Sequence, residues 1–168
     1  KNTRKIVILA LFTAQAIVLS IVESWISAPI GIPGVKLGLA NIITLIVIMF
    51  LGFKEALSVV IVRVFLVSVL AGDPFIFMFS AAGGISSTIL MSLLYSKMSK
   101  VFSIIGISIA GAVMHNLGQL LIASFVMKEL SIMFYLPVLV ISGIIMGFFV
   151  GLCTKFLSKA LKNTDIFF

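Results

Sequence analysis

The amino-acid sequence predicts an all-α membrane protein folded as a bundle of six transmembrane helices. Hydrophobic residues make up 62% of the 168 residues and charged residues only 10%, whereas soluble domains carry roughly 25% charged residues. Apolar segments follow one another with short connections, which leaves no room for a soluble domain. We therefore expect a single domain, 1–168, with spans at roughly 5–25, 37–53, 55–71, 75–96, 101–127 and 131–155.

The charge distribution predicts the orientation of this bundle. The net charge is +7, but the basic residues form short clusters between apolar runs, which is typical of membrane proteins and does not indicate a nucleic-acid partner. With a cytoplasmic N-terminus, the outer loops hold only Lys36 and Lys128. Because basic residues concentrate on the cytoplasmic side, we expect both termini there. The inner segments then contain Lys1, Arg4, Lys5, Lys54, Lys97, Lys100, Lys155, Lys159 and Lys162.

The first span resembles a signal peptide, with a basic start and a possible cleavage site at Ala14-Gln15-Ala16. Its apolar stretch continues to about Val22, so we interpret 5–25 as a transmembrane helix. Because the chain begins at Lys1 without Met, we expect its natural start to lie upstream.

The first outer loop, at about 26–37, is rich in proline and glycine and is not expected to form a regular helix. It is also apolar and follows Trp25. Two interpretations fit this composition. The loop is either a tight interfacial turn anchored by Trp25 or a lid over a cavity.

Arg63 lies in the middle of the third apolar span, nine residues from both Lys54 and Gly72. A helical rise of about 1.5 Å per residue places its Cα roughly 13 Å from either membrane surface. A central arginine costs about 2.5–3.5 kcal/mol on insertion scales, so it is expected to face the protein interior or a wet cavity. This position predicts a site for a polar or anionic ligand.

The fifth span places a polar cluster on one helical face. The i, i+4, i+7 spacing aligns Gly111, His115, Gly118 and Gln119, and Asn116 lies one step around the helix. The polar side chains of His115, Asn116 and Gln119 either line a ligand site or form hydrogen bonds between helices.

Three further residues near the outer surface are candidates for the same site. Lys36 and Asn41 lie where the second span begins, and free N–H groups at a helix start favour an anion. Alternatively, Lys36 extends to the outer headgroups. Glu23 is the better placed acid to act as a counter-ion for Arg63 or to contact the ligand, whereas Asp73 with Pro74 is expected to form a turn or cap.

Other sequence features concern packing and chemistry. Gly143, Gly147 and Gly151 repeat every four residues, which is typical of close helix packing within a bundle or between chains. The five acids are scattered singly, and no catalytic or nucleotide-binding motif occurs. We therefore expect no enzymatic activity, no metal site and no cofactor.

Four sequence blocks together resemble the bacterial Gx transporter family, which is also labelled heptaprenyl diphosphate synthase component I. They are Pro-Gly-Val-Lys-Leu-Gly-Leu-Ala-Asn at 33–41, Arg63, Ser-Ala-Ala-Gly-Gly at 80–84, and Gly-Ala-Val-Met-His-Asn-Leu-Gly-Gln at 111–119. This family is similar to the S components of energy-coupling factor (ECF) transporters. Those are six-helix substrate-binding proteins of the bacterial plasma membrane.

The resemblance implies roles for individual residues. Ala10 and Ala14 match an Ala-x-x-x-Ala pair through which S components dock onto a membrane coupling subunit that works with two ATPases. The loop at about 26–37 would act as a lid. The ligand would be a vitamin-like solute or a quinone or isoprenoid precursor, held in the outer half of the bundle with Arg63 at its floor and Lys36, Asn41, His115, Asn116 and Gln119 around it.

Three functional hypotheses follow. The first is an S component that captures a small anionic or polar solute for ATP-driven import by partner subunits. The second is an accessory membrane subunit of prenyl diphosphate or quinone synthesis. The third is a solitary secondary transporter, in which His115 or Glu23 would carry protons.

Overall fold

The computed structural model describes residues 2–27 and 38–164, and these residues are almost entirely helical. The predicted all-α fold is confirmed for this part of the chain, which contains no strand. A short 3₁₀ helix, Leu130–Tyr135, precedes the last α-helix. The α-helices are α1 Asn2–Ser27, α2 Leu39–Phe50, α3 Phe53–Ala71, α4 Pro74–Met98, α5 Ile104–Met127 and α6 Leu136–Lys162.

Helix length and composition make this a multi-pass membrane protein. Four helical segments are long and apolar enough to cross a bilayer, and large apolar side chains such as Phe125 and Phe156 are exposed on the outside of the bundle. Helix α3 is 19 residues long but is not one of these four segments, because it carries three charged residues, Lys54, Glu55 and Arg63. The four segments are Thr3–Ile26, Pro74–Met98, Ile104–Met127 and Ser131–Lys162.

Helix α2 is shorter than the predicted span 37–53. Its 12 residues extend over about 18 Å, less than the roughly 30 Å hydrocarbon core. Gly38 and Gly52 lie just outside its two ends with φ values of 71° and 104°, a region of backbone conformation that favours glycine. These two glycines limit the helix, and an apolar run in the sequence does not reveal such ends.

Helix α2 forms the centre of the bundle. It contacts all five other α-helices, and Ala40 to Ile48 are all buried. Around it, α1 packs on α3, α3 on α4, α4 on α5, and α5 on α6. Within the described residues, α1 contacts only α2 and α3, so much of its surface is left uncovered.

A side-chain cap starts α4, and an ion pair joins α1 to α3. The Asp73 carboxylate accepts a hydrogen bond of 2.8 Å from the Phe75 N–H, and Pro74 begins α4, so the predicted cap is confirmed. At the opposite end of the bundle, Lys5 of α1 forms an ion pair with Glu55 of α3.

The glycine repeat of α6 packs against α5 inside the bundle. A Cβ atom on Gly147 would lie 2.7 Å from the Ile109 Cα, and one on Gly151 would lie 2.7 Å from the Ile105 Cα. Because these neighbours are backbone atoms, they cannot move aside as a flexible side chain could. The structure therefore resolves the two alternatives for this repeat in favour of packing within the chain.

We expect Gly147→Ala to lower the free energy of unfolding by about 1–3 kcal/mol, because its new methyl group would overlap α5. The matched control is Gly106→Ala, whose Cβ would meet only side-chain atoms at 3.5 Å or more. This control should be neutral or stabilising by up to about 1 kcal/mol, since alanine favours helix. Thermal unfolding in detergent distinguishes the two variants, and equal effects would contradict the packing described here.

Candidate ligand-binding site

A cavity of about 550 Å³ opens at the end of the bundle where α1 ends and α2 begins. Helices α1 to α5 all contribute to its lining, and its size lies within the range of small-molecule sites. Four of the seven predicted site residues, Glu23, Asn41, Arg63 and His115, lie in its lining. Its polar lining consists of Ser20, Glu23, Ser24, Asn41, Arg63, Ser80 and His115.

Arg63 lies in the wall of this cavity and is only 4% exposed. Within the described residues, its guanidinium forms no hydrogen bond and no ion pair within 4 Å. The acid whose charge acts on it is Glu23, at longer range. A buried cation without a contacting anion raises the free energy of the folded protein. The cavity therefore favours binding of a negatively charged group.

The Glu23 carboxylate is committed to another contact. Its Oε1 accepts a hydrogen bond of 2.7 Å from the Gly38 N–H, at the residue that precedes α2. The side chain is buried and lines the same cavity as Arg63. Glu23 thus fixes the start of α2 and lowers the positive potential of the cavity without neutralising Arg63 directly.

Asn41 lies in the first turn of α2, as its position in the sequence predicts. The side chain is 5% exposed, and its Nδ2 has no hydrogen-bond acceptor within the described residues. A buried amide donor without an acceptor costs about 1–3 kcal/mol. Asn41 could therefore donate to an oxygen atom of a ligand.

His115 reaches the cavity from the middle of α5, and the helical face that it shares with Gly111 and Gly118 packs on α4. A Cβ on Gly111 would lie 2.5 Å from the Met91 side chain, and one on Gly118 would lie 2.8 Å from the Ala82 carbonyl oxygen. The two glycines therefore allow α5 to approach α4 closely, and His115 lies between them.

Two adjacent glycines of α4 make the close approach of the site helices possible. A Cβ on Gly84 would lie 2.8 Å from Val60 and 3.4 Å from the Arg63 Nη2. A Cβ on Gly83 would lie 2.8 Å from the His115 carbonyl oxygen and 3.0 Å from its Nε2. Sequence reasoning assigned these glycines no role, although two adjacent glycines within an apolar span could have signalled such a contact.

Asn116 and Gln119 lie apart from the Arg63 cavity, in a second cavity of about 450 Å³. The Asn116 Nδ2 donates a hydrogen bond of 2.8 Å to the Leu139 carbonyl oxygen, which ties α5 to α6. The second cavity shares Ile76 and Ser80 with the first. The predicted polar cluster of α5 is therefore divided between two neighbouring cavities.

The remaining predicted residues lie elsewhere. Residues 28–37, which include Lys36 and most of the predicted lid, lie outside the described residues. Ala10 and Ala14 are exposed on α1, and Trp25 lines the cavity while remaining 72% exposed. Among the described residues, no group of three His, Cys, Asp or Glu side chains could hold a metal ion.

Comparison with known proteins gives one family. Residues 12–157 match the family described as heptaprenyl diphosphate synthase component I, which covers most of the chain. No curated protein and no solved structure matches. On the strength of this match, the chain belongs to the heptaprenyl diphosphate synthase component I family, the Gx transporter family that its sequence blocks resemble.

Proposed function

We propose that this protein is the substrate-binding membrane subunit of an ECF-type importer in a bacterial plasma membrane. It would capture a small anionic solute from outside the cell. The observation that carries the proposal is Arg63, a buried cation in a cavity wall with no contacting anion among the described residues. Such a charge is energetically unfavourable inside a membrane, and a bound anionic ligand would provide its counter-ion.

The surroundings of Arg63 support an anionic ligand. The Asn41 amide offers a donor for a carboxylate or phosphate oxygen, and His115 lies in the same lining. Among the described lining residues Glu23 is the only acid, and its carboxylate accepts a hydrogen bond from the Gly38 N–H. In the orientation predicted from the basic residues, the cavity faces the outside of the cell.

The surface of α1 supports a partner. Ala10 and Ala14 are exposed, and α1 contacts only α2 and α3 within the described residues. Small residues in a membrane helix allow another helix to approach closely. We propose that this face docks onto the coupling membrane subunit. The two ATPases of that module would then supply the energy, and this chain itself would catalyse no reaction.

A second candidate function is an accessory membrane subunit of prenyl diphosphate or quinone synthesis. The observation in its favour is the description of the matching family, which names a synthase component. Arg63 would then hold the diphosphate. Stimulation of a purified prenyl synthase by this protein in matched membranes would favour this function, and the absence of any stimulation would exclude it.

The first prediction of the proposed function concerns the charge of Arg63. We expect Arg63→Met to abolish binding of small anions and to leave the thermal unfolding temperature unchanged or raised, because methionine fills the space without a buried charge. Trp25 is the only tryptophan and lines the cavity, so its fluorescence can follow titrations with methyl phosphate and acetate.

The matched control is Val62→Met, which places the same side chain at the neighbouring position, 46% exposed. It should leave both binding and stability unchanged. An Arg63→Met protein that binds anions normally would refute the site. A large loss of stability in Arg63→Met, without loss of binding, would instead make Arg63 a structural residue.

The second prediction concerns Glu23. We expect Glu23→Gln to strengthen anion binding severalfold, because the amide oxygen still accepts the Gly38 N–H while the negative charge near Arg63 disappears. Asp73→Asn removes another acid near the same membrane surface, away from the cavity, and preserves the cap on Phe75. This control should not change affinity. Weaker binding in Glu23→Gln would show that the carboxylate itself contacts the ligand.

The third prediction concerns docking. We expect Ala10→Phe combined with Ala14→Phe to abolish co-purification of the coupling subunit and the two ATPases from native membranes, since bulky side chains prevent close helix approach. Ligand titration of the same variant should be unchanged. Ala160→Phe, at an exposed position of α6, is the control and should retain the partners. Undiminished recovery with the double variant would exclude this docking face.

A further inference from the structure

We infer that the second cavity receives an apolar arm of the same ligand, so that the solute is an amphiphile with an anionic head and an apolar chain or ring. The inference rests on the proposed function, because it requires the head to bind beside Arg63. The geometry that points to it is the contact between the two cavities along α4.

The two cavities meet at one helix. Ile76 and Ser80 are one turn apart on α4 and line both spaces. The two cavities are therefore neighbours along α4, and the arm of a ligand whose head lies beside Arg63 would enter the second cavity past these two side chains.

The second cavity is chemically unlike the first. Its described lining contains no charged side chain, and its walls come from α4, α5, the 3₁₀ helix and α6. Its volume of about 450 Å³ exceeds what a small anion alone would occupy. The apolar side chains of this lining are Ile76, Phe79, Leu120, Ala123, Met127, Ile132 and Leu139.

The two buried polar side chains of this cavity, Asn116 and Gln119, limit the polarity of the arm, while Ser80 and the exposed Tyr135 complete its polar lining. The Asn116 amide nitrogen is already bonded to the Leu139 carbonyl oxygen. Gln119 is 8% exposed, and its Oε1 accepts no hydrogen bond within the described residues. An arm with a single hydroxyl or N–H group near Gln119 would satisfy that oxygen, and the rest of the arm would be apolar.

The test compares methyl phosphate with 4-phenylbutyl phosphate, using Trp25 fluorescence on the full chain in detergent. The extended ester should bind at least tenfold more tightly, since each buried methylene contributes roughly fourfold in affinity. Acetate and 4-phenylbutyrate repeat the comparison for a carboxylate head. The alcohol 4-phenylbutanol measures partition into the detergent and binding of an apolar chain without a head.

Ala123→Phe fills the second cavity and should remove the gain from the arm while leaving methyl phosphate affinity unchanged. Ala123→Val should give an intermediate gain, which keeps the test valid if the larger variant folds poorly. The matched control is Leu121→Phe, on the same helix but 55% exposed, and it should retain the full gain.

The outcomes separate this inference from the proposed function. Binding of the short anions with no gain from the arm, or a gain that survives Ala123→Phe, would overturn the inference and leave the Arg63 site intact. Binding of the alcohol as tightly as the ester would show that the cavity takes a lipid chain, which also overturns it. If no anion binds, or if Arg63→Met binds as well as the wild type, the proposed function fails and the inference fails with it.

Discussion

A guanidinium group held inside a membrane bundle, with no contacting anion among the residues that the structure describes, is the constraint on which the rest of the site depends. Arg63 lies in the middle of α3, is 4% exposed and lines a cavity. Such a charge is tolerated only if the protein supplies polar groups and a space for water or a counter-ion. The carboxylate of Glu23, the amide of Asn41 and the imidazole of His115 are gathered around that space.

The packing of the bundle makes this arrangement possible. Residues 40–48 of the short helix α2 are all buried, so the five other helices can surround it, and four of them, α1, α3, α4 and α5, line the Arg63 cavity together with α2. Gly83 and Gly84 allow His115 and Arg63 to approach α4 from its two neighbouring helices. Glu23 fixes the start of α2 through the Gly38 N–H, which keeps its negative charge near Arg63 but out of direct contact. Close packing and electrostatics therefore act on the same few residues.

Composition and periodicity predicted much of the fold. Helix α4 begins within one residue of the predicted span, and α5 ends at the predicted residue. The glycine spacing in α6 and the shared face of α5 both follow from helical geometry, which is local and regular. The burial of Arg63 also followed from sequence, because an arginine in an apolar span has few other acceptable environments.

Other features could not be predicted because they depend on which helices become neighbours. The sequence does not show that Asn116 turns toward Leu139 of α6 while His115 faces the Arg63 cavity. Nor does an apolar run show where α2 ends, since the backbone at Gly38 and Gly52 sets those limits. The separation of the polar residues of α5 into two cavities arises only when α4 and α6 pack on either side of it.

The most direct test of anion binding at Arg63 is the ¹⁵N spectrum of the arginine side chains in protein reconstituted into lipid bilayers. The chain has only two arginines, Arg63 in the cavity wall and the exposed Arg4 near the N-terminus, which serves as an internal reference. We expect methyl phosphate or acetate to shift the guanidinium signals of Arg63 saturably and to leave those of Arg4 unchanged. Equal shifts at both arginines, or no saturable shift at Arg63 with either anion, would contradict the claim that Arg63 binds the head of the ligand.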